Sequence, residues 1–216
     1  FIVVHIISGY LRYKQMSFLY LENSDFSLVK DGSYSEIFQS TKELLAAVLL
    51  TQICIRNKSK IFGVWSLFFT YIFIDDTFGI HERFGKFLAS QTEMPSILGL
   101  EVQDLGELLV YGFVGSAFVL LMLLAGRHHH PILVEESRNL AFLTIILIVF
   151  GLGFDLIHAA LASVSFIVGA LFSVIEDGGE MVAMSLIFWY IFNLWKYSGI
   201  HRLQKGWVGK SEKKTP

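Results

Sequence analysis

The 216-residue chain is 54% hydrophobic and only 17% charged, with a mean hydropathy of +0.57. An ordinary soluble domain carries about 25% charged residues. The composition therefore excludes one and points to an all-α, polytopic integral membrane bundle, a single domain over residues 1–216. A formal net charge of −2, with no interleaved basic stripe, excludes a general nucleic-acid role. The lipid bilayer is the expected partner, with a larger membrane complex as a second candidate.

The apolar run Phe1 to Tyr10 is shorter than the roughly 20 residues a crossing requires. It reads as the tail of a first transmembrane helix truncated at its N-terminus. Asp31-Gly32 marks a turn. Ser33 followed by Glu36 gives a capping-box spacing for a helix over Ile37 to Ile55. The lone Cys54 lies in that apolar stretch, has no disulfide partner and reads as a small core residue. Ile61 to Phe73 is the next apolar run and leads into Asp75-Asp76, with Gly79 placed to break the helix after them. Leu105 to Ala125 is the cleanest spanning segment, and Gly112 and Gly115-Ser116 on it permit close helix approach. Asn139 to Phe154 follows and runs directly into Asp155. The last helix is expected from about Gly179 to Tyr197, approached by the apolar Val164 to Ile175. The total is about six transmembrane helices.

Lys and Arg near membrane ends set orientation. Arg56, Lys58 and Lys60 fill one short loop, Arg127 and Arg138 flank another, and the 199–216 tail is basic. These regions fall on one side, taken as the cytoplasmic face of a bacterial plasma (inner) membrane, with the C-terminus inside. Arg12, Lys14, Lys30, Lys42, Arg83 and Lys86 on the other side weaken that asymmetry.

The acids and histidines then gather at the extracytoplasmic ends. Asp155 and His158 are three residues apart and share a helical face, as do Glu176 and Glu180, four apart. On an unbroken helix, Asp75 and Glu82, seven apart, would nearly eclipse, with His81 beside them. Imidazoles with carboxylates suit a divalent zinc, iron or manganese ion, and a carboxylate-x-x-His spacing is one way bundle cores build dinuclear sites. Asp75, His81, Glu82, Asp155, His158, Glu176 and Glu180 are thus the expected ligands, with Asp76 and Asp177 as acid or base. A metal-dependent membrane enzyme, a hydrolase or a dinuclear oxidase, is the expected function, because a bound ion can activate water or polarise a carbonyl. Two alternatives stand beside it: a non-catalytic accessory subunit whose acids pair with a partner's cations, and a proton or cation conductor with an acidic vestibule. The plainest alternative is that these acids merely complement helix dipoles or face water.

Other signals are weaker. His128, His129 and His130 precede Pro131 in a loop, where a solvated tract is the simpler reading. One such triplet does not make the several histidine boxes of a membrane hydroxylase. Haem ligation by His81 and His158 fits poorly with the acidic neighbours. No Gly-x-Ser-x-Gly nucleophile elbow and no phosphate-cradling glycine loop occur.

Overall fold

A computed structural model describes residues 1–5, 7, 33–92, 100–126, 131–161 and 166–211; within these, the side chains of 131, 158–161, 166–171 and 199–211 are left aside. The Asp31-Gly32 turn and the 127–130 loop with its three histidines lie outside the described residues.

Helix α1 (Tyr34–Asn57) begins where the sequence places a cap: the Glu36 N–H donates to Ser33 Oγ at 3.4 Å. It stops at Lys58, in the left-handed region at φ 50°, whose N–H returns to the Cys54 carbonyl. The chain re-enters at once as α2 (Lys60–Phe78), so α1 and α2 form a tight helical hairpin. Gly79, at φ 57°, ends α2 and opens α3 (Ile80–Gln91). Glycine adopts that left-handed conformation without the Cβ clash other residues suffer. Helix α4 (Val102–Gly126) runs back along α3. Helix α5 (Pro131–Ile148) continues through a π-helical turn (Val149–Gly153) into α6 (Phe154–Leu161). A 46-residue helix, α7 (Phe166–Ser211), closes the order.

The core lies where α1, α2, α5 and α7 meet. Ala46, Ala47, Leu50 and Ile53 of α1 face Phe62, Trp65 and Phe69 of α2, with Leu140 of α5 and Met184, Ile187 and Ile191 of α7 completing it. The alanines let backbones approach closely enough for polar links between helices. Ser66 Oγ donates to the Ala47 carbonyl at 3.0 Å and shares a 2.6 Å hydrogen bond with Thr51. Trp65 Nε1 donates to Ser137 Oγ at 2.8 Å, and Trp195 Nε1 to Gln52 Oε1 at 2.7 Å. Helix α4 joins through Phe118, whose ring lies 4.8 Å from Trp65 and 4.4 Å from Phe68.

Every described element is helical, and three stretches are long and apolar enough to cross a membrane: Lys60–Phe78, Val102–Gly126 and Ile132–Ile157. The described residues are thus all-helical with three candidate membrane spans, consistent with a membrane protein, where about six are expected from sequence. Two segments differ from expectation for visible reasons. The Ile61 to Phe73 helix continues to Phe78 and takes Asp75 and Asp76 into its last turn. The Gly178-Gly179 pair does not start a helix but lies inside α7, where the missing side chains admit the Phe150 ring on Gly179 and leave room for Ile2 on Gly178.

Candidate functional site

The α2–α3 corner is built around Asp75. Gly79 turns the chain so that α3 begins beside the carboxylate that closes α2. The His81 N–H donates to Asp75 Oδ1 at 3.0 Å, and His81 Nδ1 donates to Oδ2 at 2.9 Å. Asp75 is 2% exposed, and both of its oxygens are occupied by one residue. The His81 ring leans on Tyr111 of α4, with centroids 5.0 Å apart. Burial pulls the imidazole towards its neutral form. The hydrogen bond and charge of Asp75, helped by Glu107 and Asp76, outweigh that and hold His81 above its ordinary value.

A second group of charges sits between α1, α2 and α7. Lys42 and Glu43 are 4% and 1% exposed, whereas their neighbours Leu44 and Leu45 face outwards. Lys42 Nζ donates to the Met181 carbonyl at 2.9 Å and to Ser185 Oγ at 3.1 Å, and it lies 4.7 Å above the Phe38 ring. Glu43 and Asp76 lie within hydrogen-bonding reach of each other. Glu43 Oε2 is buried without any hydrogen-bond partner. Glu180 of α7 lies close enough to feel Lys42, Glu43 and Asp76 electrostatically.

The π-helical turn places the third group. Gly151 lies against the Glu180 carboxyl so closely that any Cβ there would overlap Oε1. A π turn widens the helix locally, which is why such turns recur where a side chain must be admitted. Glu176, Asp177 and Glu180 of α7 share an electrostatic neighbourhood with Asp155 of α6. Ser173 Oγ donates to Asp177 Oδ2 at 3.3 Å.

The fold thus gathers Asp76, Asp155, Glu176, Asp177 and Glu180 at one end of the bundle, but not as a metal centre. Among the described residues no group of three or more His, Cys, Asp or Glu side chains is arranged to hold a metal ion. This overturns the metal-dependent enzyme expected from sequence, and the geometry supplies the reason. Asp75 accepts from His81 on both oxygens, and His81 uses Nδ1 on that bond. Gly79 breaks the helical register that would have aligned Glu82 with Asp75, and Glu82 instead pairs with Lys86 at 2.7 Å on the exposed side of α3. Lys42 inserts a positive charge among the remaining acids. The His158 side chain lies outside the described set, so its position relative to His81 is not part of this geometry. Sequence reasoning missed Lys42, Glu43, Glu107 and Tyr111. The available signal was in α1, where Ile37, Phe38, Leu44, Leu45 and Val48 form an outward apolar face that leaves Lys42 and Glu43 to point inwards.

A family model described as a domain of unknown function, DUF8692, matches residues 32–195. The chain belongs to the DUF8692 family. The DUF8692 match runs from the cap of α1 into the middle of α7 and includes every acid, histidine and lysine of the three groups just described. No curated protein and no solved structure matches the chain.

Proposed function

We propose that this DUF8692 member is an integral membrane protein that binds and releases a proton at the Glu43–Asp76–Glu180 cluster, coupling its protonation state to the packing of α1, α2 and α7. The observation that carries this reading is Glu43, which is 1% exposed, has an unpartnered Oε2 and faces Asp76. Two carboxyl groups so placed hold a proton between them, because two negative charges would repel with little water to screen them. Ionisable groups at membrane depth are costly and mark functional sites unless they are fully paired. Glu43 is not fully paired.

The reading includes α1 and α7 as further crossings. Both put apolar side chains outwards, Ile37, Leu45 and Val48 on α1 and Val182, Leu186 and Trp189 on α7, while their polar groups turn into the bundle. That is the arrangement expected of helices surrounded by lipid. Arg56, Lys58, Lys60 and Lys196 then mark the cytoplasmic end, and the acid cluster lies at the opposite end.

The test is difference infrared spectroscopy on protein reconstituted in vesicles and stepped through pH. A protonated-carboxyl carbonyl band that responds to pH in the parent protein and disappears in Glu43→Gln supports the reading. A pH response unchanged from the parent in both Glu43→Gln and Asp76→Asn, or the lack of any responsive carboxyl band in the parent, overturns it.

A further inference from the structure

Helix α3 is attached to the spanning helix α2 by a single residue, Gly79, and packs along the first turns of the spanning helix α4. The packing is close. A Cβ on Gly106 of α4 would come 2.7 Å from Gly85 Cα, and a Cβ on Gly85 would come 2.7 Å from the Gln103 carbonyl oxygen. One face of α3 is thereby fixed against α4 at the membrane end of the hairpin. The remaining surface has an apolar side, bordered by the exposed Arg83, and a charged side. Ile80, Phe84 and Phe87, at i, i+4 and i+7, form an exposed apolar flank among the described residues, with Phe87 59% exposed. Glu82 and Lys86 pair with each other at 2.7 Å, roughly 150° further round the helix at 3.6 residues per turn.

We propose that α3 is an interfacial helix whose Ile80–Phe84–Phe87 flank is seated in the lipid bilayer, between headgroups and acyl chains, with the Glu82–Lys86 pair turned to water. Two aromatic rings left in water at the edge of a membrane would forfeit burial that lipid supplies within a few ångströms. The covalent join to α2 and the glycine contact with α4 keep the helix at that depth, so the bilayer is the surface continuous with the flank. A short amphipathic helix with aromatic residues on one side and an i,i+4 ion pair on the other is built for this boundary. The inference rests on the spans alone and holds independently of any proton exchange at Glu43.

Site-directed spin labelling tests it. Cys54 is the lone cysteine in the chain, so a Cys54→Ala background carries single substitutions Phe84→Cys, Phe87→Cys or Lys86→Cys, all at exposed side chains. The labelled protein is reconstituted in phosphatidylcholine vesicles, and collision with oxygen, which partitions into lipid, is compared with collision with a water-soluble nickel chelate. The oxygen-to-nickel ratio is expected to be several-fold higher at positions 84 and 87 than at 86. Equal ratios at the three positions would put the flank in water and overturn the proposal. Shielding of 84 and 87 from both reagents would mean that protein covers them, and would overturn it equally.

Discussion

Replacing Gly106 by alanine isolates the α3–α4 contact from everything else in the fold. The new methyl would meet Gly85 Cα at 2.7 Å, Gly85 N at 3.5 Å and Leu88 Cδ2 at 3.4 Å. The nearest of these atoms belongs to backbone and cannot rotate away, so the two helices must separate. On the same helix, a methyl on Gly115 meets nothing within 4 Å. Both substitutions gain about 1 kcal/mol of helix propensity, so that term cancels when the variants are compared. Overpacking of about 1–3 kcal/mol remains against Gly106→Ala, a roughly 5- to 150-fold change in the folded-to-unfolded ratio. The assay is unfolding of the detergent-solubilised protein by increasing mole fraction of dodecyl sulfate, followed by tryptophan fluorescence. Gly106→Ala as stable as Gly115→Ala would refute the reasoning, because it would mean the helices do not approach at these glycines.

Three further outcomes follow from the geometry. Because Asp75 and Glu107 hold the His81 imidazole above its ordinary value of 6.5, the contribution of the pair to stability is complete below about pH 6.5 and is lost as pH rises through the elevated native value. His81→Ala should therefore cost about 1–3 kcal/mol in mildly acidic buffer, with the gap to the parent narrowing in alkaline buffer; a gap that widens with pH would contradict the assignment. Trp65→Ala removes a fully buried indole, its hydrogen bond to Ser137 and its contact with Phe118, and should cost about 3–5 kcal/mol in the same unfolding assay. Tyr190→Phe deletes the hydroxyl that donates to the Glu136 carboxylate across α7 and α5 and should cost about 0.5–1.5 kcal/mol.

The cap at Ser33 and the break at Gly79 were legible from sequence because each is a local choice: a hydroxyl three residues before Glu36, and a glycine just past a pair of acids. The convergence of acids at one end of the bundle was legible from helix order. The ligand set was not. Asp75 and Glu82 align only on a straight helix, and the same glycine that was visible as a breaker rotates Glu82 out to Lys86. From sequence Glu43 is not singled out and Lys42 counts only among the charges outside the cytoplasmic groups, because their burial depends on which face α7 covers, and that is a long-range fact. Gly178 and Gly179 misled for the opposite reason. They resemble a helix boundary, yet they serve as flat surfaces for Ile2 and Phe150 in the middle of α7.

The uninterrupted course of α7 has a mechanical consequence. At 1.5 Å per residue its 46 residues extend about 69 Å, more than twice a hydrocarbon core of about 30 Å. One stiff rod therefore carries Glu180 in the acid cluster and the basic tail well beyond it. Pivoting that rod by about 5° about Glu180 sweeps its far tip, roughly 46 Å away at 1.5 Å per residue, through about 4 Å. A shift too small to disturb Gly151 would arrive in the aqueous phase as a displacement another molecule could feel.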